Sequence, residues 1–479
     1  MNFNSFRFAF FFIIVYVLYL SLSHKRQNRM LLAASYVFYG FWDWRFLSLI
    51  MVSTLTDFLC AIKIDQQENK ADRKRFLMIS VGVNLSVLFF FKYFNFFLEN
   101  FIAFFSMVGI NFESPTWKII LPVGISFYTF QTLSYTIDVY RKQVPATRNF
   151  LDYALYVSFF PQLVAGPIER AKNLLPQILS PRTICHEDIS EGLFLIYWGL
   201  FKKIFIADNL GVILTFIGSP VSADGSAGDG GLILMSVYAF MFQLYCDFSA
   251  YSDIARGTAK LMGFHIMVNF RSPFFAANIQ ETWNRWHISL TTWIRDYLYF
   301  PLALMRIKKK HINDKLLIII IFLIMGLWHG AAWNYILWGG YHGLLLAGYA
   351  ALASKMKRHR HSRPMPVAAV LRFLSVILTL HASAFGLIFF QGNSIQQIGA
   401  WIYHLFANFA VTSAATEMFA RIIFYVSPLL LVDLLLYKND DIKRFFRYPG
   451  VARYGFFYIT LYLMVVFGEK SVSFIYFQF

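Results

Sequence analysis

The chain has 479 residues, of which 58% are hydrophobic and 14% are charged, whereas about 25% of a typical soluble domain is charged. This composition excludes an ordinary water-soluble protein. The formal charge of +17 does not indicate a nucleic-acid partner, because the basic residues lie in short connectors, where they set membrane topology and contact lipid headgroups.

Long apolar runs recur along the whole chain. A helix needs about 20 mostly apolar residues to cross a membrane, so the sequence predicts roughly ten to twelve crossings. Residues 8–22 are interpreted as a first, retained crossing, because no signal-peptide cleavage motif follows them. No polar stretch is long enough to fold by itself. Residues 1–479 are therefore predicted to form a single all-α integral membrane domain.

Two connectors bear on the orientation of the chain. The stretch 219–231 is rich in Gly, Ser and Asp and lacks Lys and Arg, as expected of an external loop. Basic residues flank the segment 31–64, whose centre, YGFWDWRF, suits a membrane interface. This segment is predicted to combine a crossing with an interfacial or re-entrant piece. The side on which the N-terminus lies stays open.

The stretch 243–299 carries more polar residues than a lipid-facing helix tolerates. Asp247, Arg295 and Asp296 are among them. A charge at the bilayer centre costs about 2.5–3.5 kcal/mol on insertion scales, so such residues usually face a protein interior, a cavity or the interface. The sequence therefore predicts helices here that lie flat or line a polar cavity.

One histidine interrupts a strongly apolar run. Residues 316–327 contain no polar side chain, and Trp328, His329 and Gly330 follow. A neutral imidazole in dry surroundings suits a general base that takes the proton of a hydroxyl group. The alternative is a buried histidine between packed helices, with Gly326 and Gly330 allowing close approach. His342, thirteen residues further on in the apolar run 316–349, is interpreted as structural.

A second histidine lies in the run 281–302, which is predicted to form one amphipathic helix at the rim of a cavity. On such a helix Asn284, His287 and Thr291 project near one another. His287 and Asn284 would orient a substrate or the base, and Arg285 or Arg295 would meet a phosphate or carboxylate group. The alternative is an interfacial helix with aromatic and arginine anchors.

Other kinds of site have no support. The three cysteines have neither disulfide-framework nor zinc-site spacing, and the chain lacks HExxH, phosphate-loop and serine-nucleophile motifs. We therefore expect no metal and no permanently bound cofactor.

At these two histidines the sequence resembles the membrane-bound O-acyltransferase superfamily. The matching runs are RWHISLTTWIRDYLYFPL (285–302) and LWHGAAWNYILWGGYHG (327–343). Three further runs match: LPVGISFYTFQTLSYTIDVYR (121–141), FFPQLVAGPIER (159–170) and YCDFSAYSDIARGTAKLMGF (245–264). The ending FIYFQF (474–479) looks like that of the bacterial alginate O-acetyltransferase branch.

The resemblance implies a fold, an activity and site residues. The fold would be a ring of transmembrane helices, with re-entrant and interfacial helices, around a central funnel. His329 would be the catalytic histidine and His287 the supporting one. The other candidate site residues line the expected cavity: Asn284, Arg285, Trp286, Trp328, Gly330, Arg295, Asp296 and Asp247.

The expected reaction is transfer of an acetyl group from acetyl-CoA, or another acyl thioester, towards hydroxyl groups of an exported cell-envelope polysaccharide. The resemblance also implies residence in the bacterial inner membrane, contact with membrane lipid, and an extracytoplasmic partner of the SGNH-hydrolase type. Three alternatives stay open: D-alanyl transfer from a carrier-protein thioester, transport of a polysaccharide or acyl donor, and a non-catalytic assembly subunit.

Overall fold

The computed structural model describes residues 1–112, 119–217, 229–307, 310–311, 313–356, 365–436, 443–469 and 474. Within these residues the regular secondary structure is helical apart from one pair of short antiparallel strands, Arg306–Ile307 and Lys310–His311. It divides into two compact units, residues 1–196 with 254–267, and residues 197–253 with 268–479. The prediction of a single membrane domain stays a prediction.

The first unit is built from α-helices with two short irregular turns of helix. The α-helices are Phe6–Ser21, His24–Asp43, Leu47–Gln66, Lys70–Leu88, Phe94–Met107, Ile125–Tyr140, Phe150–Ser158, Phe160–Leu163, Ala171–Leu179 and most of His186–Phe201. A 3₁₀ turn spans Trp44–Phe46, and a π-helical turn spans Phe89–Tyr93. The last residues of Gly230–Leu261 also belong to this unit.

The second unit carries both candidate histidines. Its α-helices are Asp208–Ile217, most of Gly230–Leu261, Ile279–Arg285, Ile288–Ile294, Phe300–Leu304, Asp314–His329, Trp333–Met356, Met365–Gln391, Ile395–Ala407, Ser413–Leu436, Lys443–Phe446 and Gly450–Phe467. Pro273–Phe275 is a 3₁₀ turn, and Lys202–Ala207 and Arg295–Tyr299 are π-helical.

Seven helical segments in the described part of the chain are long and apolar enough to cross a membrane. They are His24–Gln66, Lys70–Met107, Gly230–Leu261, Trp333–Ala353, Val367–Gln391, Ser413–Leu436 and Gly450–Phe467. Phe6–Ser21 is apolar but shorter. Many of their large apolar side chains are exposed on the protein surface, as in Phe10 and Tyr458, which suits contact with lipid. The protein is thus an all-helical, multi-pass membrane protein.

The segment with the aromatic centre bends where that centre lies. Two helices of 20 residues each, His24–Asp43 and Leu47–Gln66, are joined by the turn Trp44–Phe46. The carboxylate of Asp43 accepts a hydrogen bond from the backbone N–H of Arg45 at 3.0 Å and starts this turn. Each helix has the length of about one crossing. If both helices cross, the basic residues at the two ends of the segment lie on the same side.

Polar side chains inside the first unit are paired with one another. Asp57 is fully buried, and its carboxylate accepts hydrogen bonds from Asn84 Nδ2 at 2.9 and 3.0 Å and from the hydroxyl of Ser80. These residues belong to the helices Leu47–Gln66 and Lys70–Leu88. Such pairing is the usual condition for a carboxylate at membrane depth, and it ties neighbouring helices together.

Candidate active site

His329 is the last residue of the helix Asp314–His329. Asn313 caps the start of this helix, with its side-chain oxygen 3.0 Å from the backbone nitrogen of Lys315. At the other end Gly330 is extended, with φ −160° and ψ 143°, so the helix stops directly after the histidine. His329 therefore lies at the end of an apolar helix, where its ring can face surroundings different from those of the helix.

Glycines let this helix pack closely against the next one, Trp333–Met356. A Cβ atom on Gly326 would lie 2.2 Å from the backbone oxygen of Tyr335, and one on Gly339 would lie 2.2 Å from that of Phe322. A Cβ on Gly330 would overlap the ring of Tyr335. The close packing proposed from the sequence for Gly326 and Gly330 is therefore present, and His329 lies at the end of the packed pair.

Aromatic rings surround His329. Its side chain is buried, and its ring centroid lies 4.8 Å from that of Trp328, 5.0 Å from that of Trp338 and 5.7 Å from that of Phe390. All three rings meet the imidazole edge-on. Such walls exclude water from the surroundings of the imidazole.

His329 lines a small, mostly apolar cavity of about 70 Å³. The space exceeds the roughly 10–15 Å³ that a single water needs, yet it is far smaller than a site for a whole cofactor. Its polar lining consists of His329, His342, Thr282, Thr379 and Ser383. The aromatic lining includes Trp283, Trp286, Trp338 and Phe390. An imidazole thus meets a pocket whose size suits a short acyl group.

The prediction of one continuous helix over residues 281–302 is wrong. The chain forms Ile279–Arg285 and Ile288–Ile294 instead, because His287 adopts the left-handed conformation, with φ 44° and ψ 52°. The regular projection expected for Asn284, His287 and Thr291 is therefore lost. Asn284 is exposed, whereas His287 is only 1% exposed.

The break turns the His287 ring towards aromatic neighbours. Its centroid lies 4.8 Å from that of Phe248 and 6.2 Å from that of Trp328. Burial lowers the pKa of His287 to about 3, so this imidazole is neutral near pH 7. Trp328 contacts both histidines, since its ring also lies 4.8 Å from that of His329.

The remaining candidate residues are divided between the cavity and ion pairs. Trp286 lines the cavity. Arg285 pairs with Glu281 at 3.1 Å, Arg295 with Asp296 at 2.9 Å, and Asp247 with Lys203 at 2.9 Å. Arg295 is exposed, and Asp247 is buried, as the placement of a charge at membrane depth requires. The roles suggested for Arg285 and Arg295 towards an anionic group stay predictions.

Sequence reasoning missed several residues of the cavity. His342 received a structural interpretation, yet it lines the cavity together with Trp338, which precedes it by four residues on one helix face. Trp283 completes this side, with its ring 5.4 Å from that of His342. The four-residue spacing was visible in the sequence, but the approach of Trp283 was not, because it comes from a distant helix.

Comparisons with known proteins agree with this architecture. Residues 133–385 match the family model of the membrane-bound O-acyltransferases. A probable alginate O-acetylase of Pseudomonas putida is 39% identical over 79% of this chain and 76% of its own length. A peptidoglycan O-acetyltransferase of Helicobacter pylori is 34% identical over 76% of this chain and 71% of its own length. A teichoic acid D-alanyltransferase of Bacillus subtilis is 27% identical over 58% of this chain and 71% of its own length.

The family match covers more than half of the chain and includes both candidate histidines and most of the cavity lining. It takes in the stretch from Thr282 to His342 and extends to Ser383. The P. putida relative supports the same assignment independently, since its identity is high over most of both chains. The chain is an O-acyltransferase that spans the membrane several times, and it belongs to the membrane-bound O-acyltransferase family.

Proposed function

We propose that this protein transfers an acetyl group from acetyl-CoA towards hydroxyl groups of an exported cell-envelope polysaccharide. The observation that carries the proposal is the position of His329, which presents a buried imidazole to a small aromatic cavity in a chain of this family. The names of the relatives support the substrate class, because they describe O-acetylation of alginate and of peptidoglycan.

In this mechanism His329 is the general base. Its neutral imidazole takes the proton of the acceptor hydroxyl, and the hydroxyl oxygen attacks the carbonyl carbon of the thioester. The carbon–sulfur bond then breaks, and the departing thiolate receives the proton from the imidazolium. The aromatic walls exclude water, which would otherwise compete as an acceptor and hydrolyse the thioester.

The destination of the acetyl group is part of the proposal. We infer an inner-membrane location from the bacterial relatives, with the donor presented on the cytoplasmic side. An extracytoplasmic partner of the SGNH-hydrolase type would accept the acetyl group on a hydroxyl and complete the transfer to the polymer. Deleting the gene for such a partner should therefore abolish polymer acetylation.

The test replaces His329 with Ala and measures O-acetyl groups on isolated envelope polysaccharide by mass spectrometry. We expect acetylation to fall at least about 100-fold, the range of a lost general base. His381→Ala is the matched control, because His381 is exposed and bonds to the backbone oxygen of Ile377 outside the cavity lining. Undiminished acetylation in a stably expressed His329→Ala protein would contradict the proposal.

D-alanyl transfer from a carrier-protein thioester is the second candidate. The likeness to teichoic acid D-alanyltransferases favours it, although identity and coverage are lower than for the O-acetylases. The two candidates are distinguished by supplying purified protein with radiolabelled acetyl-CoA or with a D-alanyl carrier protein. Only the true donor should lose its acyl group, and this loss should require His329.

A further inference from the structure

Asn269 is a buried side chain at the centre of a hydrogen-bond cluster that contains His287. Asn269, Ser252, Ser289 and His287 are each no more than 2% exposed. The oxygen of the Asn269 amide lies 3.1 Å from His287 Nδ1, 2.9 Å from the Ser289 hydroxyl and 3.3 Å from the Ser289 backbone nitrogen. Its nitrogen lies 3.2 Å from the Ser252 hydroxyl.

The backbone of Ser289 fixes the orientation of this amide. A backbone N–H can only donate a hydrogen bond, so the Asn269 atom facing it must be the acceptor oxygen. The reversed amide would place its NH₂ group against the Ser289 N–H, and two donors would then face each other in a buried site. The amide nitrogen is thereby directed at Ser252, whose hydroxyl can accept.

The orientation of the amide in turn fixes the proton of His287. Because the Asn269 oxygen is an acceptor only, His287 Nδ1 must carry the hydrogen that joins them. A neutral imidazole has one N–H, so Nε2 is the unprotonated, basic nitrogen. The opposite tautomer would set the lone pair of Nδ1 against that of the amide oxygen.

The main chain holds this arrangement as well. In the described part of the chain, His287 is one of three non-glycine residues with a positive φ, a conformation that persists only where surrounding contacts enforce it. The Ile288 N–H donates to the Asn269 carbonyl at 2.9 Å, and the Arg271 N–H donates to the Arg285 carbonyl at 3.0 Å. The chain around Asn269 is therefore bonded to both sides of the break that turns His287.

We propose that Asn269 is a positioning residue that locks His287 as the Nδ1–H tautomer, so that Nε2 acts as a proton or hydrogen-bond acceptor in acyl transfer. This inference rests on the proposed function, because His287 needs a defined tautomer only if its ring meets a reacting group. The two histidines then have different tasks. His329 lines the cavity, and His287 supplies a second acceptor atom, Nε2, in a fixed orientation.

The direct test observes the tautomer. Full-length protein labelled with ¹⁵N-histidine is studied by NMR in lipid or detergent at pH 7.5, and the His287 signals are assigned by their loss in His287→Asn. Asn also tolerates a positive φ, which makes this variant suitable for the assignment. We expect a protonated Nδ1 and an unprotonated Nε2. A protonated Nε2 in the native protein would overturn the inference.

Two substitutions of Asn269 connect the tautomer with turnover. Asn269→Leu removes the acceptor, and we expect mixed tautomers and a kcat lowered about 10- to 100-fold, with KM changed less than about threefold. Asn269→Asp keeps an acceptor oxygen, so the Nδ1–H tautomer and most of the turnover should persist. Ser252→Ala should also leave the tautomer unchanged, since it removes only the partner of the amide nitrogen.

The outcomes separate this inference from the proposed function. If Asn269→Leu keeps the native tautomer, or keeps the native kcat with altered tautomers, the positioning role is contradicted. If Asn269→Leu does not fold, the native spectrum and Asn269→Asp still decide, because loss of the tautomer in Asn269→Asp would be equally contradictory. Undiminished acetylation in His329→Ala would contradict the proposed base, whatever tautomer His287 has.

Discussion

The two candidate histidines differ in their surroundings. His329 is enclosed by Trp328, Trp338 and Phe390, whereas His287 is bonded to the amide of Asn269. Removing a proton from a hydroxyl group is the role proposed for His329, and the aromatic rings around it keep water away from that step.

The size of the cavity should limit the length of the acyl group. Phe390 lines the cavity beside His329, so Phe390→Leu should enlarge the cavity. The rate with propionyl-CoA relative to acetyl-CoA should then rise by about tenfold, because one methylene group in an apolar pocket changes substrate discrimination by about that factor. The measurement is the ratio of kcat/KM for the two donors. Phe389→Leu, next in the chain and outside the lining, should keep the native ratio.

Glu169 provides a test of how burial affects stability. Burial raises the pKa of Glu169 to about 7, although Asn173 and the backbone N–H of Met267 bond to its carboxylate. Because the folded-state pKa lies above the ordinary value of 4.5, its contribution to stability is fully present below about pH 4.5 and is lost as the pH rises through about 7.

We therefore expect the Tm of the native protein in detergent to fall by at least about 3 °C between pH 5 and pH 8, and Glu169→Gln to reduce this fall. Exposed Glu417 is the matched site, and Glu417→Gln should keep the native pH dependence. An unchanged pH dependence in Glu169→Gln would show that this carboxyl group does not titrate in that range.

His329 could be selected from the sequence because a titratable side chain stands out in an apolar run. His342 could not be selected in the same way. What distinguishes it is the approach of Trp283 and the shared cavity, and both depend on a helix about sixty residues earlier in the chain. Asn269 escaped notice for the same reason, since its partners His287 and Ser252 lie on either side of it in different elements.

At the scale of the elements, the packing of Asp314–His329 against Trp333–Met356 decides where His329 lies. The long apolar run predicted membrane helices here, and small residues at their contact were recognisable. The break within 281–302 was not predictable from periodicity, because a histidine rarely adopts a positive φ and the hydrogen bonds that hold it come from residues 269–271.

Gly326→Ala should separate this helix pair. The added Cβ would lie 2.2 Å from the backbone oxygen of Tyr335, which cannot move away as a side chain could. We expect Tm to fall by about 2–6 °C and turnover to fall with it, because the end of the helix carries His329. Gly348→Ala, in the second helix with nothing within 4 Å of its Cβ, should match or slightly exceed the native Tm.

At the scale of the whole molecule, composition alone established membrane residence and a helical fold. The number of crossings is harder to obtain, since helices such as Phe6–Ser21 fall below the usual length. Charge placement predicts the orientation of individual connectors. The bend at Trp44–Phe46, however, decides whether one or two crossings separate the basic residues at the two ends of the segment 24–66. Sidedness thus depends on a turn that hydropathy does not reveal.

Cysteine labelling can test the predicted sidedness. Ser222 lies in the stretch expected to be external and Ser362 in the basic stretch 355–363, both outside the described residues. In a Cys185→Ser background, which removes the exposed native thiol, we expect a membrane-impermeant maleimide to label Ser222→Cys in intact cells and Ser362→Cys only after permeabilisation. Labelling of both in intact cells would refute the predicted orientation.

The left-handed backbone at His287 has a consequence for mutational tolerance. Most side chains are strained at φ 44°, whereas Gly, Asn and Asp adopt that region readily. A saturation library at this position selected for stable expression alone should therefore be enriched in Gly and Asn and depleted of Val and Ile. Selection for acyl transfer should then retain His, which adopts this region more often than most side chains do. The backbone conformation would thus limit which residues are tolerated at this position even in the absence of selection for activity.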